Sequence, residues 1–236
     1  MPELSIAAVI AAGGAGTRMG GDVPKQFRML NGQPLIMQTL KPFYQSPHCL
    51  QIVVAAHPDW KKWMKERINE SGWKDKVKVV TGGKERGDSV YSGLKALNKP
   101  DIVLIHDAVR PFINEEMMNE AAKKAWEYGG AAAAVPILDT IKREDEGIIK
   151  STVNRTHLYQ VQTPQAFRYN IIMKAYRIAR KNGFQATDDC MLLEKYTGIK
   201  IKLVPGSRLN IKITEPEDFI LAEAIAEVKS RLMVEV

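Results

Sequence analysis

Residues 6–26 read IAAVIAAGGAGTRMGGDVPKQ, and the two halves of that stretch obey different rules. From Ile6 to Ala12 every side chain is apolar, in a run far too short to span a bilayer. An unbroken run, without alternation, suits a strand buried on both faces of a parallel sheet. The spacing predicts that strand over Ile6–Ala11. Glycines then crowd in at 13, 14 and 16, followed by two cations, Arg18 and Lys25, seven residues apart.

Further short apolar runs follow at Gln51–Ala56, Lys76–Val80, Asp101–His106, Ala131–Pro136, Lys200–Val204 and Asn210–Ile213, each read as a strand. Amphipathic stretches near 34–45, 58–71, 88–97, 114–128, 170–182, 187–197 and 215–232 read as helices. Asn114 is placed to cap one of them, and Thr214 with Glu217 forms a capping-box pattern for the last. Alternating strands and helices imply an α/β fold, Rossmann-like, with a mainly parallel central sheet and helices on both faces. Residues 139–163 break the alternation and read as short strands around a turn at Asp145–Gly147. They predict a projecting antiparallel β-arm whose Ile141, Ile148, Ile149 and Val153 need a second subunit to cover them. With no repeats and no low-complexity linker, residues 1–236 read as a single domain with this arm.

The glycine cluster lets backbone N–H groups approach a polyphosphate in conformations that other residues resist. Arg18 as a planar fork and Lys25 as a point charge can both reach phosphate oxygens. The dinucleotide fingerprint would need glycine where Met19 stands, and the Walker pattern would need Gly-Lys-Ser/Thr, which the loop lacks. A polyphosphate loop of another kind is what remains.

The rest of the composition narrows the partners. Of 236 residues 45% are hydrophobic and 26% charged, ordinary for a soluble domain large enough to need no disulfide. The two cysteines, Cys49 and Cys190, lack ligand spacing and read as buried thiols. No basic leader and no long apolar segment is present, so a cytoplasmic protein with no membrane partner is expected. The net charge of +7 suits an anionic ligand. Cations mixed with acids and 7% aromatics argue for small phosphorylated molecules and against nucleic acid.

The loop pattern A-x-G-x-G-x-R-M-(x)4-P-K-Q-F resembles the signature of the sugar-phosphate nucleotidyltransferases, in particular the 2-C-methyl-D-erythritol 4-phosphate cytidylyltransferases of the non-mevalonate isoprenoid pathway. Later segments agree in order: GGKERGDSV (82–90), HDAVRP (106–111), DTIK (139–142) with TVNR (152–155), and TPQ (163–165) with NIK (210–212). The resemblance implies CMP transfer from CTP to methylerythritol phosphate with release of pyrophosphate. By resemblance Arg18 and Lys25 carry the transition-state charge, and Ala12, Gly13, Gly14 and Gly16 cradle the triphosphate. Gly83 and Ser89 would read the cytosine and ribose, and Asp107 would touch the nucleotide or Mg2+, the expected divalent cofactor. Thr140, Arg155, Thr163 and Lys212 would form the acceptor pocket. Because Thr140 and Arg155 lie on the arm, the resemblance implies a homodimer with shared sites.

Two residues depart from the pattern. Gly13 stands where this family usually has alanine, a variant shared with the ribitol 5-phosphate cytidylyltransferases. Gly87 replaces a larger residue. The runs Thr140-Ile141-Lys142 and Thr152 to Arg155, with Leu158 after it, fit the methylerythritol family better, and the ribitol enzymes stand as the alternative.

Overall fold

The computed structural model describes residues 4–14 and 23–234. In chain order the first half runs β1 (Ile6–Ala12), β2 (Met29–Leu30), β3 (Gln33–Pro34), α1 (Leu35–Gln45), β4 (Cys49–Ala56), α2 (Lys61–Glu70), β5 (Val77–Thr81), α3 (Arg86–Lys95) and β6 (Ile102–Asp107). The second half runs α4 (Glu115–Tyr128), β7 (Gly130–Pro136), β8 (Ile141–Asp145), β9 (Ile148–Val153), β10 (Tyr159–Arg168), α5 (Tyr169–Lys181), α6 (Asp189–Tyr196), β11 (Ile201–Pro205) and α7 (Pro216–Val234). Seven strands form one sheet in the order β11-β7-β10-β6-β1-β4-β5. Its pairings are parallel except those of β10, which runs antiparallel between β6 and β7.

The apolar run that opens the chain explains why both faces are covered. Ile6, Ala8, Ile10 and Ala12 face one core with Leu40 and Phe43 of α1, Met64 of α2 and Met117 of α4. Ala7 and Val9 face the other, with Val90 and Leu94 of α3 and Ile172 of α5. A strand period of two divides the run between the layers, so no polar position is left over. Gly93 lets α3 sit directly on β1: a Cβ there would lie 2.4 Å from Val9 Cγ1. A third cluster joins Leu30, Leu35, Val109 and Phe112 to Ala222 and Ile225 of α7.

Helix ends match the sequence in one case and differ in another. Asn114 caps α4 by accepting from Met117 N at 2.9 Å, and Glu115 and Glu116 occupy the first turn. At α7 it is Asp218, not Glu217, that closes the box, accepting from the backbone N–H groups of Thr214 and Glu215 and from the Thr214 hydroxyl. Both cysteines are buried, and burial raises the Cys49 thiol to about 11. The tryptophans at 60, 63 and 126 pack against the first core.

Two expected elements are corrected. Residues 210–213 do not form a strand: Asn210 is buried and its amide donates to Thr163 O at 2.8 Å, while Ile213 N donates to Val109 O. Burying that side chain takes the segment off a pleated path. The arm is also shorter than 139–163. Its hairpin is β8 and β9, paired from Ile141↔Val153 to Asp145↔Ile148. The end of the 139–163 stretch belongs instead to β10, which crosses into the central sheet, where Tyr159 pairs with Pro136 and Gln165 with both Ala132 and Ile105. The backbone groups of a polar segment are satisfied there by two neighbouring strands.

Candidate active site

The strand order reverses direction between β1 and β6, and the carboxyl ends of these two strands mark the point where open α/β sheets bind ligands. Ala12, Gly13 and Gly14 leave the end of β1, and Asp107 closes β6 beside Ala11. Gly82 and Gly83 leave β5, and Ser89 arrives on the first turn of α3. Ala12, Gly13, Gly14, Ser89 and Asp107, with Lys25, Arg86 and Lys212, surround one cleft. Arg18 and Gly16 lie outside the described residues.

Ser89 ties two loops together. It is 1% exposed, its Oγ accepts from Gly83 N at 3.1 Å, and Glu85 and Asp88 close a reciprocal capping box beneath it. The close approach explains the glycines. A Cβ on Gly13 would lie 2.2 Å from Ser89 Oγ, and one on Gly83 would lie 2.2 Å from Asp88 Cβ. Gly13, the departure from the family pattern, is therefore a packing position, with Ser89 filling the space an alanine methyl would take. Gly87 is roomier: the nearest atom to an added Cβ is Tyr176 Cε1 at 3.9 Å.

Asp107 is the electrostatic centre. Its Oδ1 meets Arg86 Nε at 2.9 Å, its Oδ2 meets Lys212 Nζ at 2.9 Å, and Arg110 Nε stands 3.7 Å from Oδ2. Burial pushes this carboxyl up, but Arg86, Lys212 and Arg110 overcome that and hold it well below the usual carboxylate range. Arg86 reaches in the other direction too, to Asp189 at 2.9 Å, and Tyr176 donates its hydroxyl to the same carboxylate. Arg86 thus bridges two buried acids.

Behind Asp107 runs a short relay of hydrogen bonds. Asp107 N donates to Thr163 Oγ1 at 3.2 Å, and Thr163 Oγ1 lies 2.9 Å from His106 Nδ1. His106 Nε2 lies 3.0 Å from Arg110 O. A carbonyl can only accept, so the proton sits on Nε2 and Nδ1 accepts from the threonine. Burial holds His106 down to about 4, against the smaller upward pull of its bond to Arg110. It is a neutral structural histidine. Thr163, expected in the acceptor pocket, is 4% exposed with its hydroxyl committed to this relay.

Arg110 was not singled out from sequence, although it ends the HDAVR run. It is buried, donates to Asn210 O at 2.7 Å, and so fixes the segment carrying Lys212. Lys212 and Arg110 also line an adjoining basic hollow with Arg208, Gln160 and Gln162. Thr140 and Arg155 are exposed, at the base of β8 and between β9 and β10, and neither lines the cleft of its own chain.

The family model described as 2-C-methyl-D-erythritol 4-phosphate cytidylyltransferase matches residues 6–228. The chain belongs to that family. A relative of that name from Clostridioides difficile is 44% identical over 225 residues, 94% of each chain. One from Geobacter metallireducens is 41% identical over 231 residues, 96% of this chain and 99% of the other. Among solved structures, the 4-diphosphocytidyl-2C-methyl-D-erythritol synthase of Anaerococcus prevotii superposes with a TM-score of 0.83 at 30% identity, covering 95% of this chain and 99% of that one. The methylerythritol phosphate cytidylyltransferase of Thermus thermophilus superposes at 0.78 with 28% identity, covering 95% and 100%. Membership of this cytidylyltransferase family favours methylerythritol phosphate over the ribitol alternative as acceptor.

Proposed function

We propose that the chain transfers the cytidylyl group of CTP to 2-C-methyl-D-erythritol 4-phosphate, as its family does in isoprenoid biosynthesis. An oxygen of the acceptor phosphate bonds to the α-phosphorus of CTP. The bond from that phosphorus to the oxygen bridging to the β-phosphate breaks, and the electron pair leaves with pyrophosphate. The product is 4-diphosphocytidyl-2-C-methyl-D-erythritol. A phosphate monoester is largely a dianion at neutral pH, so the step needs no general base. Its obstacle is charge: two unit charges at about 4 Å repel by roughly 4 kcal/mol at an effective dielectric of about 20.

The observation that carries this reading is the convergence of Lys25, Arg86 and Lys212 on one cleft around the buried Asp107 carboxylate. Lys25, with Arg18 seven residues before it in sequence, neutralises charge building on the α- and leaving phosphates. Ala12, Gly13 and Gly14 supply backbone N–H groups to the triphosphate, with Gly16 further along the same loop. Gly83 and Ser89 flank the cytidine, and Lys212 receives the acceptor phosphate. Thr163 supports this arrangement by holding the Asp107 backbone.

The residues present do not fit a metal held through Asp107, because both of its oxygens face cations. Among the described residues no three His, Cys, Asp or Glu side chains converge as a metal site. Mg2+ enters, on this proposal, as part of the substrate, bound by triphosphate oxygens and water. On this proposal Thr140 and Arg155, exposed beside the arm, act in the site of a second subunit, and the protein is a homodimer. The proposal also includes a cytoplasmic location, with small-molecule partners and neither nucleic acid nor membrane; none of the described helices is long and apolar enough to cross a membrane.

Pyrophosphate release, followed with CTP and each acceptor in turn, tests the assignment. Turnover is expected with methylerythritol phosphate. Turnover with ribitol 5-phosphate alone would overturn it.

A further inference from the structure

Gln26 is a polar side chain only 3% exposed, next to Lys25 in the short turn Lys25–Phe27. Its amide nitrogen donates to the carbonyl of Ala12 at 3.0 Å and to that of Gly14 at 2.7 Å. A side-chain amide carries two N–H bonds, and both are spent on the first turn of the glycine loop. Gln26 therefore staples residues 12–14 to residues 25–27. Phe27 anchors the same turn from the other side: it is 3% exposed, stacks on Trp60 at 4.8 Å with planes 9° apart, and meets Trp63 edge-on at 5.2 Å. Lys25, which lines the cleft, is thus followed by one residue clamped to the phosphate-facing backbone and one locked into an aromatic cluster.

We infer that Gln26 is a positioning residue for Lys25, holding its ammonium in register with the phosphates that the glycine backbone binds. This rests on the reading of Lys25 as the charge-stabilising group. Lysine is a flexible point charge on a four-carbon stem, so its effect on a transition state depends on where its backbone is held. A glutamine that merely filled space would need neither hydrogen bond. Here one amide makes two, to the two carbonyls that flank Gly13.

The test is a double-mutant cycle in the full-length protein, with pyrophosphate release as readout and circular dichroism confirming that each variant is folded. Gln26→Met keeps the volume and removes both donors. Gln26→Glu keeps the shape and turns an oxygen toward each carbonyl, and serves in the same cycle should the methionine variant not fold. Either is expected to lower kcat roughly tenfold or more, with the KM for the acceptor little changed. Paired with Lys25→Ala, it should add almost nothing, because Gln26 acts through a lysine already gone. A kcat within about twofold of the parent, or losses that multiply in the double variant, would overturn the inference while leaving Lys25 in its role. A near-normal Lys25→Ala would instead remove the reading of Lys25, and this inference with it.

Discussion

The ammonium of Lys212 rests 2.9 Å from Asp107 Oδ2, while the opposite oxygen of that carboxylate is held by Arg86. Lys212 is 39% exposed and Asp107 8%, so the lysine is the partner that can turn toward an arriving anion. Truncating it should therefore act on acceptor binding. Lys212→Ala is expected to raise the KM for methylerythritol phosphate at least tenfold while changing the KM for CTP much less, in steady-state assays varying each substrate. An unchanged acceptor KM would remove Lys212 from the acceptor site.

Lys25→Ala and Arg18→Ala should each lower turnover roughly a hundredfold or more, the scale of losing a donor aimed at developing charge. The loss should appear in kcat if, as proposed, the glycine backbone holds the triphosphate. Near-normal rates in both would leave the mechanism without its charge stabilisation.

Asp107→Asn leaves three cations facing one neutral amide. The folded-state carboxyl is held below its ordinary range, so its stabilising contribution is full above about pH 4 and is lost as pH falls further. The variant should be less stable than the parent at pH 7, and the gap should narrow on acidification below about pH 4. Thermal melts at stepped pH check this. A constant gap would mean that the ion pairs around Asp107 carry no net stabilisation.

Much of this was legible in the chain, and the exceptions share a cause. The apolar run from Ile6 to Ala12 announced a doubly covered parallel strand because period-two packing leaves no other use for it. Strand β10, YQVQTPQAFR, carried no such signal. Its buried Gln162 and Gln165 are tolerated only because each finds partners distant in sequence: Gln162 reaches Ser207 O, while Gln165 donates to Asp188 and accepts from the backbone of Asp189 and Cys190. Asn210–Ile213 misled in the opposite sense, since its alternation has the strand period while Asn210 is buried for hydrogen bonding. Within the site, the glycines and Lys25 showed themselves by local spacing. The bridge from Arg86 to Asp189 could not, because nothing local links two residues brought together only by helix packing.

His106 sets a second pH dependence, with its own window. Its folded value of about 4 lies below the ordinary value of about 6.5, so the unfolded chain takes up the proton first. Stability is then lost as pH falls through about 6.5, and the loss levels off below about 4. The cost from this residue is about 2 kcal/mol between pH 7.5 and pH 5. Urea unfolding at those two values should show it. His106→Gln can still accept from Thr163 and donate to Arg110, and should lose that part of the difference. An equal pH dependence in the variant would place the effect elsewhere.

Ile148 and Ile149 on β9 are each 64% exposed, too much apolar surface for a hairpin that ends in water. Thr140 and Arg155 flank that hairpin without lining their own cleft. If the arm completes a neighbour's site, Lys25→Ala and Arg155→Ala damage different halves of one composite centre. A heterodimer of the two variants then holds one centre with both defects and one with neither. Mixing equal amounts and allowing exchange makes half of the dimers mixed, so activity should recover to about a quarter of the parent's, from two preparations that are each nearly inactive. Recovery requires subunit exchange, so Ile148→Asp with Ile149→Asp, introduced into both partners, should abolish it and shift the protein to a monomer in sedimentation. A mixture no more active than its components, from dimers shown to exchange, would confine the whole active site to one chain.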